Sequence, residues 1–228
     1  AGGDQPSGSG ARAPSRAGAE HYAIMKPPAM TDVLLLDVMD TLVHDPFHHA
    51  IPGFFGMTLE ELFTVKHRDA WIRFEHGELT EEEYLASFFE DGRRFDNAAF
   101  VQNVKDAYRW IDGVEPLLAE LRDAGAPMHA MSNYPCWYRW IEERLGLGRY
   151  LEWTFVSCET GLRKPDPEAY RSAARTLGVP VEQCVFVDDR RKNVDAARAV
   201  GMRGIVFESA DQLRRELTSV SVRTSRGA

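Results

Sequence analysis

The chain has little cysteine, little excess positive charge and no long apolar run, and each scarcity narrows its chemistry. It holds three cysteines, Cys136, Cys158 and Cys184. Their spacing fits neither a zinc knuckle nor a CxxC redox pair, and an odd number argues against a disulfide framework. Buried thiols in a reducing compartment are the expected state. Positive charge is outnumbered: 27 Lys and Arg against 35 Asp and Glu give a formal net charge of −8. With no basic block to meet a phosphate backbone, nucleic acid is not expected as a partner. No apolar stretch reaches the roughly 20 residues that span a bilayer, so no membrane partner is expected either. Oligomeric state has no signature in the sequence.

A length of 228 residues suits one sizeable domain, or a core carrying a smaller insertion. Residues 1–29 are rich in Gly, Ala, Ser, Pro and Arg and hold little that packs, so a disordered tail is expected. Arg12, Ser15 and Arg16 in an acid-poor stretch match the end of an organelle transit peptide, and equally a flexible tail or a remnant of cloning. Residues 219–228 read as a frayed end.

Residues 32–38 are short, apolar and bounded by turn-prone residues, which predicts a strand. From 45 to 108 no convincing strand follows. Thr58 with Glu61, and Thr80 with Glu83, each have the spacing of a helix-opening capping box, and Asp96 suits a third cap. Three or four helices are expected there. Alternation of helix and strand then resumes. A helix from about Val114 stops at Gly125, and later helices stop at Gly146, Gly178 and Gly201. Strands are expected at 128–131, 153–158, 184–187 and 205–207. Asp166 opens one helix, and Ser209 with Gln212 opens the last. Such alternation implies an α/β fold: a Rossmann-like three-layer core, its five-stranded parallel sheet covered on both faces. The expected organisation is a core of residues 30–44 and 109–218, a helical cap at 45–108, and tails at 1–29 and 219–228.

Chemistry concentrates in four short segments. Asp37 follows an apolar strand directly, where a carboxylate faces the crevice and can attack phosphorus, although a strand-end Asp that merely caps a turn is common. Ser132 and Asn133 end a strand before a helix, a place suited to anions and equally to a plain N-cap. Lys164 stands in Arg163-Lys164-Pro165-Asp166-Pro167, whose prolines fix the backbone and aim a cation that is otherwise simply solvated. Asp188 and Asp189 end a further apolar strand. Adjacent acids there repel unless a cation sits between them and a third acid, and oxygen ligands suit Mg²⁺. Asn193 lies on the following helix, within reach of this pair. His48 and His49 offer metal-ligand chemistry, but no third partner is visible in sequence, which favours a solvated loop.

Taken together, the order and strand-end placement of these segments resemble the haloacid dehalogenase superfamily of phosphatases, over roughly residues 32–217. The resemblance implies that Asp37 is the nucleophile and that Ser132, Asn133 and Lys164 bind the phosphoryl group. It also implies that Asp37, Asp188, Asp189 and the main-chain carbonyl of Met39 hold Mg²⁺, and that 45–108 is the family's helical (C1-type) cap. One element departs. These phosphatases place a second aspartate two residues after the nucleophile as general acid and base, and here that residue is Met39. Asp40 stands one position on, and neighbouring side chains of an extended segment point opposite ways. Asp40, His44 or a cap residue supplies the proton, or the leaving group needs less help, or catalysis is lost. The family's dehalogenases also lack that acid, but they work without metal, which the Asp188-Asp189 pair argues against.

A subgroup match goes further. Asp37-Val38-Met39-Asp40-Thr41-Leu42-Val43, Asp45-Pro46-Phe47, Phe54-Phe55-Gly56-Met57, Asn133-Tyr134-Pro135 and Trp153-Thr154-Phe155 are similar to the plastid flavin mononucleotide (FMN) hydrolases of plants. That similarity implies FMN as substrate, riboflavin and phosphate as products, Mg²⁺ as cofactor and a plastid, or otherwise the cytoplasm, as compartment. An isoalloxazine ring needs a flat apolar wall near the phosphate site. Trp71, Phe74, Tyr84, Phe88, Phe89 and Phe95 mostly read as cap core, and Tyr134 and Trp137, just beyond Ser132, are the candidates for flavin contact. Two other readings stay open: a phosphatase for another small phosphomonoester, such as a sugar phosphate or a riboflavin-pathway intermediate, and a catalytically weak flavin-binding member of the fold.

Overall fold

The computed structural model describes residues 32–224 and, apart from them, Gly2. In chain order its elements are β1 (Val33–Leu36), α1 (Ala50–Phe54), α2 (Leu59–Val65), α3 (Ala70–Glu75), α4 (Glu81–Ala86), α5 (Asn97–Ala107), α6 (Val114–Asp123), β2 (Met128–Ser132) and α7 (Tyr138–Leu145), followed by β3 (Glu152–Val156), α8 (Ser157–Thr160), α9 (Pro167–Leu177), β4 (Cys184–Asp188), α10 (Arg191–Ala199), β5 (Arg203–Val206) and α11 (Ala210–Thr224). Every residue of β1 and of β4 is buried, so neither strand has a solvent face. Strands of this kind need cover on both sides, and the pleat sends alternate residues to each. Leu34 and Leu36 join one cluster with Leu117, Leu118, Ile141 and Leu213, under α6, α7 and α11. Leu35 joins the other with Phe186, Tyr170, Ala173 and Val194, under α9 and α10.

All pairings within the sheet are parallel and the strand order is β3-β2-β1-β4-β5. Leu36 stands level with both Ala130 and Val187. The carboxyl ends of β1, β2 and β4 therefore open on one edge, which is where ligands of open α/β sheets gather.

The insertion between β1 and α6 carries five helices rather than three or four. Those with capping signals are where the signals stand: Thr58 and Glu61 exchange both bonds of a capping box at α2, Thr80 and Glu83 do so at α4, and Asp96 accepts the Ala99 N–H at α5. The two that escape sequence reading, α1 and α3, have no N-cap side-chain bond, although His67 Nδ1 accepts the Asp69 and Ala70 N–H groups at the start of α3. Burial of Ile51 and Phe74 helps hold them. At α11 the box is displaced: Ser209 Oγ accepts the Gln212 N–H, but the Gln212 amide oxygen accepts from Glu208 rather than Ser209. That helix runs to Thr224, into the stretch read as a frayed end, because no Gly or Pro interrupts it before Gly227. The remaining tail residues, 225–228 and, save Gly2, 1–29, lie outside the described ones. Among the described residues no helix is long and apolar enough to cross a membrane.

Candidate active site

Three carboxylates and one ammonium meet at the carboxyl edge of the sheet. Lys164 Nζ lies 2.7 Å from Asp37 Oδ1 and 2.7 Å from Asp188 Oδ2. All three are buried: Lys164 is 2% exposed, Asp37 6% and Asp188 0%. Lys164 reaches that point because its main chain is clamped. Asn133 Oδ1 accepts the Lys164 N–H at 2.8 Å, and Asn133 Nδ2 donates to the Lys164 carbonyl at 2.8 Å. Asp188 is fixed in turn by the Arg190 N–H and by Asn193 Nδ2, which donates to both its oxygens at 3.1 and 3.0 Å. Thr41 Oγ1 accepts the Asp189 N–H at 3.0 Å and ties the two acidic loops together.

The electrostatics ask for more positive charge than the chain supplies. Burial, opposed by the Lys164 ammonium and reinforced by the charges of Asp188 and Asp189, pushes the Asp37 carboxyl up to about 7. Burial, then the charge of Asp188, pushes Asp189 up to about 6. Burial by itself would lower the pKa of Lys164, but Asp37 and Asp188 hold it above its ordinary value. Ligand oxygens of Asp37, Asp188 and Asp189 lie within 4.8 Å of one another, and Asp189 Oδ1 is buried without a hydrogen-bond partner. An all-oxygen set of this charge fits a hard divalent cation such as Mg²⁺. Ser132 Oγ is a second buried atom without a partner, at the end of the neighbouring strand β2.

The profile of the haloacid dehalogenase-like hydrolases matches residues 31–201, a span that holds Asp37, Lys164, Asp188 and Asp189. The chain belongs to this family. A chloroplastic flavin mononucleotide hydrolase of Arabidopsis thaliana is 45% identical to this hydrolase over 193 residues, 85% of this chain and 79% of the relative. A family enzyme of Bacteroides thetaiotaomicron, solved with magnesium and inorganic phosphate, superposes at TM-score 0.63 with 20% identity, over 78% of this chain and 94% of that one. An L-2-haloacid dehalogenase of Xanthobacter autotrophicus superposes at 0.56 with 19% identity, over 82% of each chain. These two show the shared fold.

Asp37 and Lys164 open into a cavity of about 200 Å³. Its wall corrects several sequence expectations. Tyr134 lines it, but as a buried phenol hydrogen-bonded to Tyr108. Trp137 does not line it. Its ring, 1% exposed, packs between Phe74, Tyr84 and Trp140, and its indole N–H bonds Glu81, so it joins cap to core rather than facing a ligand. The aromatic wall comes instead from Phe47, Phe63 and Trp71, with Lys66 beside it. The Lys66 ammonium sits 5.5 Å from the Phe47 ring centre and 5.4 Å from that of Phe63. Arg163, just before α9, reaches Glu75 of α3 at 2.6 Å, also on this cavity. Phe63 and Lys66 carry no sequence signal, since an exposed Phe on a short helix and a Lys just beyond its end look like ordinary surface.

Three further expectations change. Asn133 lines the cavity, but its side chain clamps the Lys164 main chain, which leaves one Nδ2 hydrogen to offer phosphate. Asp40, in a left-handed turn with φ 55°, has one oxygen on the Asp45 N–H and the other 3.1 Å from His48 Nε2, and it does not line the cavity. Nor does His44, whose N–H bonds the Arg109 carbonyl. His48 does acquire neighbours, Asp40 and Asp45, that sequence separation hid, whereas His49 joins no such group among the described residues.

Proposed function

We propose that this hydrolase is a phosphatase that cleaves FMN to riboflavin and phosphate. One observation carries the reading: a single cavity joins the Asp37–Lys164 pair to the aromatic wall of Phe47, Phe63 and Trp71. It offers charge for a phosphate at one end and flat apolar surface for a ring system at the other. Similarity to the Arabidopsis enzyme across core and cap supports the substrate, and supports a plastid as compartment.

In this reading Asp37 attacks phosphorus in line, the ribityl oxygen leaves, and water releases phosphate from the aspartyl-phosphate, restoring the carboxylate. Lys164 stabilises the equatorial oxygens as charge builds on them; Ser132, although its buried hydroxyl has no partner, does not line this cavity. Mg²⁺, held by Asp37, Asp188, Asp189 and the Met39 carbonyl, would supply Lewis-acid neutralisation of the phosphoryl group. Asn133 and Asn193 act as positioning residues, the first for Lys164 and the second for Asp188. The cap, latched through Glu75 and Arg163, keeps bulk water from the phosphoanhydride-like intermediate.

Phosphate release from FMN, with and without Mg²⁺, tests this for the wild type and for Asp37→Asn. Mg²⁺-dependent release that the substitution abolishes is expected. Flavin binding without release would make the protein a non-catalytic flavin binder, and neither binding nor release would remove FMN from the reading.

A further inference from the structure

The nucleophile's usual companion acid is absent at Met39, and the structure takes both Asp40 and His44 out of the cavity. It brings another carboxylate in. Asp45 lines the same cavity as Asp37, Met39 and Lys164. Backbone geometry puts it there. The Leu42 and Val43 N–H groups both donate to the Val38 carbonyl, Asp40 takes its left-handed conformation, and the Asp45 N–H then bonds Asp40 Oδ1 at 2.9 Å. The chain folds back on itself, so residue 45 returns to the side it left at residue 39. Asp45 Oδ1 accepts the Phe47 N–H at 2.8 Å, and Pro46 fixes the turn that follows. Oδ2 accepts no hydrogen bond among the described residues and is the oxygen left for a ligand.

We propose that Asp45 is the general acid and base of this hydrolase. Protonated, it gives its proton to the alkoxide oxygen as the P–O bond to the leaving group breaks and the bond to Asp37 forms. As the carboxylate it takes a proton from the water that attacks phosphorus, the bond to Asp37 breaks, and the acid is restored with release of phosphate. Proton and electron pairs balance over the cycle with no further reactant. The assignment rests on the phosphatase reading. Its surroundings suit the role: burial raises the carboxyl's pKa, the charge of Asp40 adds to that, and the Phe47 N–H, His48 and Arg190 oppose it. Burial, with the charge of Asp45 adding to it, keeps the phenols of Tyr84, Tyr108 and Tyr134 neutral. A donor working near neutrality needs such a setting.

Asp45→Asn separates this role from a structural one, because Asn still accepts the Phe47 N–H but cannot carry the proton. Two esters are compared: FMN, whose alkoxide must be protonated, and p-nitrophenyl phosphate, whose anion leaves unaided. With FMN, turnover by the variant is expected to fall about 100- to 10,000-fold and to lose the alkaline limb of its pH profile. With p-nitrophenyl phosphate, mixing enzyme and ester rapidly is expected to give a burst of about one equivalent of nitrophenolate at near the wild-type rate, then slow turnover, because only the attacking water lacks its base. Asp45→Glu, which keeps a carboxyl, is expected to recover part of the FMN turnover. A burst slowed in proportion to FMN turnover, equal loss in the Asn and Glu variants, or full activity of Asp45→Asn on both esters overturns the assignment while leaving the phosphatase reading intact. A wild type that cleaves neither ester overturns both.

Discussion

Replacing Lys164 by Met tests whether the centre of the site is held by charge or merely by packing. Met keeps most of the aliphatic length and deletes the ammonium that sits 2.7 Å from both Asp37 and Asp188. Both carboxylates stay buried, and breaking a buried pair from one side costs about 3–5 kcal/mol. The cost must vary with pH. The Asp37 pKa is raised in the fold, from 3.8 to about 7, so ionising it there is unfavourable, and stability is lost as pH rises from about 4 and levels off above about 7. Lys164 limits that loss. Without it the folded pKa climbs further, and the stability curves of wild type and variant diverge above about pH 7. Urea unfolding in EDTA at about pH 5.5 and pH 8.5 reads the difference, which should be larger at the higher pH. For a domain of this size about 3–5 kcal/mol corresponds to a Tm lower by about 6–20 °C. Equal destabilisation at both pH values, or a variant more stable than the wild type at the higher one, would refute the reasoning.

Other substitutions separate the roles assigned to neighbouring residues. Trp137→Phe removes the bond to Glu81 and should cost about 1 kcal/mol in unfolding experiments while leaving KM for FMN unchanged, since the ring packs in the core. Lys66→Met should raise KM for FMN about 2- to 5-fold with little change in kcat, from about 0.5–1 kcal/mol of binding at the aromatic wall; an unchanged KM would take Lys66 out of the site. Asn133→Ala deletes both clamps on the Lys164 main chain and should lower kcat and Tm together, with about 1–3 kcal/mol of lost stability.

Much of this was legible in order along the chain because the relevant physics is local. Apolar runs that end in Asp37, Ser132 and Asp188 announce strands whose ends carry chemistry, and the Thr58, Thr80 and Asp96 caps announce helices through bonds spanning three residues. Helices α1 and α3 open without a capping bond from a Ser, Thr or Asp side chain, and the His67 ring that receives the first N–H groups of α3 is not a residue type that marks a helix start. Trp137 misled because nearness to Ser132 in sequence says nothing about which way a ring points once Glu81, 56 residues away, takes its N–H.

The sequence by itself determined the α/β alternation, the helical insertion after β1, and the placement of Asp37, Asp188 and Asp189 at strand ends and of Lys164 just before a helix, since each depends on hydrophobic periodicity or on a turn a few residues long. Tertiary structure alone decided what surrounds them. It spent Asn133 on the Lys164 main chain across 31 residues, tied Asp189 to Thr41 across 148, and latched Glu75 to Arg163 across 88. It also turned Asp40 away and Asp45 in. Such pairings arise when packed strands and helices bring distant side chains within about 3 Å, and no local pattern encodes that distance.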